Sequence, residues 1–128
     1  MNPRLCRTHR FRPIALCAMA CAAALWAGCD DDRPHVDDPP EGLGRLVIDN
    51  RSTEKLHIYF DGEPAGDVGS GKYRTFDFPP GELSVTLDQS RSDRIARFEV
   101  DILRGRIVYA EVENDYSYTR LNVFVYVD

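Results

Sequence analysis

In four segments between Leu56 and Val112 the apolar residues recur at every second position. Leu56, Ile58 and Phe60 alternate with His57 and Tyr59, and Leu83, Val85 and Leu87 with Ser84, Thr86 and Asp88. Ala96, Phe98, Val100 and Ile102 alternate with Arg97, Glu99 and Asp101, and Val108, Ala110 and Val112 with Tyr109, Glu111 and Glu113. A period of two puts successive side chains on opposite faces of an extended chain, so each segment reads as a strand with one face in a core and one toward water. Asp61-Gly62, Pro79-Pro80-Gly81 and Arg104-Gly105 interrupt the strands with residues that favour turns. Short strands separated in this way predict an all-β fold, a small antiparallel β-sandwich over residues 45–128. Phe98 is expected in its core, where truncation of a fully buried Phe to Ala costs about 3–5 kcal/mol.

The final segment, Leu121 to Val127, breaks the pattern. Leu121, Val123, Val125 and Val127 occupy one face, and Phe124 and Tyr126 the other. A strand apolar on both sides is either central and covered, or carries an exposed aromatic strip that marks a partner surface. Tyr116 and Tyr118, in the turn before it, would extend that strip. Tyr116, Tyr118, Phe124 and Tyr126 are therefore the candidate interaction residues.

The N-terminus carries an address. Arg4, Arg7, Arg10 and Arg12 precede an apolar run from Ile14 to Trp26, and no acidic residue occurs before Asp30. A basic leader, a short apolar core and small residues after it make a secretory signal, here residues 1–28. The run has 13 residues, too few to span a bilayer, which takes about 20. Ala27-Gly28-Cys29 resembles the lipobox of bacterial lipoproteins, with Trp26 where that family usually has leucine. The resemblance implies that Cys29 is lipidated, that the signal is removed before it, and that the protein is held on a membrane facing the periplasm or cell exterior. Asp30 resembles an inner-membrane retention signal, a rule that varies among bacteria, so inner and outer membrane both stay open. One acyl chain holds only marginally, at about 0.8 kcal/mol per buried methylene, whereas two or three on one residue anchor permanently.

Cys6, Cys17 and Cys21 leave with such a signal, and Cys29 carries the lipid. The folded part then has no thiol for a disulfide, a metal or catalysis. All 21 acidic residues and 12 of the 16 basic ones follow Gly28, giving the mature chain a net charge of −9. Nucleic acid is excluded as a partner, because binding it takes clustered Lys and Arg. Asp30 to Gly44 is acidic and proline-rich, with only Val36 and Leu43 as larger aliphatics. Residues 29–44 therefore read as the lipidated cysteine and a disordered acidic tether.

The stretches HIYFDGEPAG (His57–Gly66) and FPPGELSVTL (Phe78–Leu87) resemble the PEGA-like β-sandwich: a strand closing in Asp-Gly, a short strand with a Gly-containing motif, then Pro-Gly and an alternating strand. The resemblance covers about half of residues 45–128. It implies a non-catalytic module of an exported, membrane-tethered protein and brings no catalytic residue with it.

Motifs for chemistry fail on their own terms. Gly66 to Lys72 fits GxxxxGK, but Tyr73 stands where the phosphate-binding loop needs Ser or Thr, and no helix pattern follows. After the signal only His35, in the tether, and His57, on the polar side of a strand, offer an imidazole. No G-x-S-x-G elbow is present. The pairs Glu99 with Asp101 and Glu111 with Glu113 read as solvated strand faces rather than two carboxyls flanking a cleft. These features predict a protein that is not an enzyme and takes no cofactor or metal. The expected function is a membrane-tethered envelope lipoprotein acting as a protein-interaction or structural module. The alternative is a small-ligand or glycan-binding sandwich, with Tyr109, Tyr116 and Tyr118 as stacking surfaces.

Overall fold

The computed structural model describes residues 33–128. Eight strands follow one another: β1 (Gly44–Asn50), β2 (Leu56–Phe60), β3 (Glu63–Val68), β4 (Lys72–Phe78), β5 (Gly81–Gln89), β6 (Ile95–Ile102), β7 (Ile107–Asn114) and β8 (Leu121–Val127). They form two four-stranded sheets, in the orders β4-β1-β7-β8 and β3-β2-β5-β6. The described residues are thus the all-β, two-sheet arrangement that the alternation predicts.

The inner faces meet as expected from period two. Leu46 and Ile48 of β1 and Val108, Ala110 and Val112 of β7 pack against Leu56, Ile58, Val85, Leu87, Val100 and Ile102 of the other sheet. At one end Phe60 stands edge-on to Phe76 and Phe78, with ring centroids 4.8 and 4.9 Å away. The predicted turns form where glycine allows them. In the β2–β3 hairpin both Asp61 and Gly62 have positive φ, 49° and 83°, the twist that a two-residue connection between antiparallel strands requires. Gly44 is needed for a different reason: a Cβ there would meet the Leu103 carbonyl oxygen and lie 2.6 Å from Cγ2 of Ile102.

The structure departs from the sequence expectation in several places. β1 and β7 pair in parallel, with Val47 opposite Tyr109, while the other strand pairs are antiparallel. Parallel neighbours must be joined by a long crossover, and here the crossover is β2 to β6. β1 shows no alternation because it is buried on both faces, with neighbours on either side and cover above and below. Phe98 is only half-buried, since β6 ends its sheet. β8 is also a terminal strand, not a central one.

The compact unit begins at Pro34, not at Arg45. Val36 packs on a second apolar cluster of Val47, Ile107 and Tyr109, with Tyr126 beside it. This cluster lies on the outer face of the β4-β1-β7-β8 sheet. Arg45 donates from Nη1 to the Asp37 carbonyl at 2.7 Å and makes a two-pronged pair with Asp77 across β4, at 2.7 and 2.9 Å. The Arg45 guanidinium holds the Asp77 carboxyl below its ordinary range, against a smaller opposing effect of burial. The second half of the acidic segment therefore lies on the sheet, because it shields apolar side chains that alternation would have sent to water. Residues 1–32, including the expected signal and Cys29, lie outside the described residues.

Candidate partner surface

The registers of β4, β1, β7 and β8 lay out the outer face in rows. Thr75, Val47, Tyr109 and Tyr126 form one row, and Tyr73, Asp49, Glu111 and Phe124 the next. Along β8 the rings of Tyr126 and Phe124 lead toward the β7–β8 turn, which carries Tyr116 and Tyr118.

The four candidate residues do not share one environment. Tyr126 is half-buried and stacks on Tyr109, with centroids 5.2 Å apart and planes 11° from parallel. Phe124 is 52% exposed, Tyr118 57%, and Tyr116 fully exposed. Phe124 and the two turn tyrosines are thus solvent-facing, separated along the face by Asn122 and Arg120, and Tyr126 joins the outer cluster. Tyr109 is buried, so it offers no face for a ligand to stack on. That part of the glycan expectation fails because Val36 and Tyr126 pack against the same cluster.

The turn is held by one carboxylate. Asp115 Oδ1 accepts from the backbone N–H of Thr119 at 2.6 Å and of Arg120 at 3.1 Å. Its Oδ2 accepts from the hydroxyls of Ser117 at 2.8 Å and Thr119 at 2.9 Å. Asp115 also closes the turn through its backbone, whose carbonyl accepts from Tyr118 N–H at 2.9 Å. Tyr118 sits at φ 55°, a left-handed conformation that a bulky residue adopts only when its surroundings enforce it. Desolvation by the loop raises the Asp115 pKa, but the bonds from Ser117, Arg120 and Thr119 outweigh it and bring it down to about 2. Sequence inspection names the tyrosines but not Asp115. The signal available was D-x-S-x-T within a turn, a pattern of short polar side chains that bond nearby backbone.

Beside the turn lies an open groove of about 270 Å³, lined by Arg51, Thr53, Glu113, Asn114, Asp115, Tyr116 and Tyr118. Arg51 bonds Asp49 at 2.9 Å and Glu111 at 3.1 Å. Burial raises the Glu111 pKa, Arg51 opposes that shift, and Glu113 and Asp49 add to it. Arg51, just past the end of β1, thus places one cation against both Asp49 and Glu111.

A larger hollow, about 650 Å³, is lined by Thr53, Glu54, Lys55, His57, Ser70, Ser90 and Arg91. Here the structure adds a partner that sequence reading did not assign: His57 Nδ1 lies 2.5 Å from Asp67 Oδ1, across the β2–β3 pair. The Ser70 hydroxyl in the same hollow donates to the Ser52 carbonyl at 2.6 Å. A nucleophilic serine would instead donate to the imidazole.

The arrangement is that of a two-sheet β-sandwich with an aromatic turn at one end. No family model and no curated protein matches the sequence. Among solved structures, the C-terminal domain of AlgF from P. aeruginosa superposes with a TM-score of 0.56 at 16% identity, over 69% of this chain and 100% of that domain. The N-terminal domain of AlgF from P. aeruginosa gives a TM-score of 0.48 at 13% identity, over 71% of this chain and 98% of that domain. The first likeness is one of fold.

Proposed function

We infer that this chain is a membrane-tethered, non-catalytic envelope lipoprotein carrying a PEGA-like domain, and that it binds a protein partner through Tyr116, Tyr118 and Phe124. The observation that supports the reading most is the fully exposed Tyr116 on a turn locked by four bonds to one carboxylate. Tyr contributes a large amphipathic area at low entropic cost, and a preformed loop loses little freedom on binding. Tyr126 contributes by packing under the strip rather than by contact.

The reading has two separable parts. For the address, Cys29→Ser in the full chain releases it to a soluble fraction or leaves it unprocessed. A variant that partitions and migrates as the wild type does would overturn the lipid anchor. For the contact, a photoreactive phenylalanine analogue at position 116 yields one discrete cross-linked protein in intact envelope, and the same analogue at Arg104, in the β6–β7 turn, does not. Equal or absent cross-linking at both positions would overturn the partner surface. Tyr116→Ala then weakens recovery of that protein with thermal stability unchanged.

A glycan or small-ligand site that stacks on Tyr116 and Tyr118 draws on the 270 Å³ groove those rings line. That space falls below the ~300–1,000 Å³ usual for small-molecule pockets, and its most prominent ring, Tyr116, points fully into solvent. The interface reading accounts for both observations.

A further inference from the structure

Among the described residues, the four strand edges of the sandwich are not alike. Unpaired edges are ready templates for another strand, and proteins blunt them with charge, proline or bulges. Edge strand β3 carries Pro64 and meets a bulge between Ile58 and Tyr59. Edge strand β4 exposes Lys72, Arg74 and Asp77, and edge strand β6 exposes Arg97, Glu99 and Asp101. Edge strand β8, Leu-Asn-Val-Phe-Val-Tyr-Val, contains no charge, no proline and no glycine, and its pairing with β7 has no break. Phe124, Val125 and Val127 are each about half exposed, at 52%, 45% and 51%.

Backbone polarity can be assigned from the ladder. Asp128 N–H bonds the Ile107 carbonyl at 3.0 Å, and Asp115 N–H bonds the Arg120 carbonyl at 3.0 Å. With the β7–β8 register this places the main-chain groups of Asn122, Phe124, Tyr126 and Asp128 toward β7. Those of Leu121, Val123, Val125 and Val127 therefore point away from the sheet.

We propose that β8 pairs antiparallel with β8 of a second copy of this chain, about a two-fold axis through Phe124, joining the two β4-β1-β7-β8 sheets into one. In that register Val123 faces Val125 of the copy, Leu121 faces Val127, Asn122 faces Tyr126, and the two Phe124 rings meet at the axis. The outward main-chain groups of the two strands form about eight hydrogen bonds. The register is chosen by charge. Arg120 and Asp128 flank the uncharged strand at opposite ends, and pairing about Phe124 sets Arg120 of each chain opposite Asp128 of the other. Shifting the axis by one residue removes both pairs. A second copy is therefore complementary to this edge along its whole length, at centre and at ends. Two-fold pairing is the commonest closed association, and it would bring both Phe124 rings together at the centre with one turn at each end. The inference does not depend on the lipid anchor or on the partner named above.

Cysteine cross-linking of the full chain in intact cells, which needs no membrane location, tests this by register. Directly opposed residues in a non-hydrogen-bonded pair have Cβ atoms about 4.5–5.5 Å apart, near enough for a disulfide after a small adjustment. Phe124→Cys gives a covalent two-chain species under mild oxidation, absent from the parent with its native cysteines. Asn122→Cys, whose opposite residue is Tyr126, gives at least fivefold less. Adding Arg120→Asp to Phe124→Cys lowers the yield several-fold, and adding Asp128→Arg to that pair restores it. A two-chain species equally abundant from positions 122 and 124 overturns the proposal. So does no such species from Phe124→Cys, the result expected if an extended segment of another protein occupies the edge. Charge reversal without rescue overturns the register as well.

Discussion

Truncating Phe60 and Phe98 to alanine separates the real core from the one that alternation suggests. Both are apolar members of alternating strands, and either looks central in sequence. Phe60 is only 9% exposed and meets Phe76 and Phe78 edge-on at 4.8 and 4.9 Å. Burial and cavity terms for Phe→Ala run to about 3–5 kcal/mol, and each edge-to-face pair adds about 0.5–1.5 kcal/mol beyond area. Phe76 and Phe78 are only half-buried and can relax into the vacated space, so the expected loss is about 3.5 kcal/mol. For a unit of this size that is a fall in Tm of roughly 15–25 °C. Phe98 packs against the same core from a terminal strand and stays half-buried. About half of its transfer term is at stake, so Phe98→Ala costs about 1.5–2 kcal/mol. The assay is urea unfolding of each full-length variant, followed by circular dichroism and by tyrosine fluorescence. Equal costs, or a larger loss at Phe98, would refute the assignment of Phe60 to the closed end of the sandwich.

Three further outcomes follow from the same structure. Tyr126→Ala loses its stack on Tyr109 and lowers stability by about 2 kcal/mol, whereas Tyr116→Ala stays within about 0.5 kcal/mol of wild type; denaturant midpoints measure both. The folded Asp115 pKa, about 2, lies below its ordinary 3.8, so its hold on the turn is complete above the ordinary value and is lost as pH falls through about 2. The amide resonances of Thr119 and Arg120 should therefore keep their positions down to about pH 4 and shift only below it; a transition centred above pH 4 would contradict the bonding. Gly44→Ala forces a methyl against the Leu103 carbonyl and Ile102, an overpacking worth about 1–3 kcal/mol, and a variant as stable as wild type in thermal melts would show that β1 can shift away.

Alternation in β2, β5 and β6 was legible in the sequence because each has one wet face, and period two is the direct imprint of that condition. The turns were legible too, since Asp61-Gly62 and Gly105 adopt positive φ that few other residues tolerate. The tyrosines of the β7–β8 turn were named as candidates from their chemistry alone. Other features were decided only by which strands became neighbours. β1 carries no period because Leu46, Val47 and Ile48 are all fully buried. Tyr109 lies on the polar side of its strand in sequence, yet Val36 and Tyr126 pack around it. The acidic segment reads as tether from composition, and Val36 and the Asp37 carbonyl bring its second half onto the sheet. Phe98 and β8 are terminal, and nothing local says which strand ends a sheet. Local pattern reports how many faces of a strand are dry, whereas tertiary pairing decides what covers them, and the unblunted edge of β8 exists only once that pairing is known.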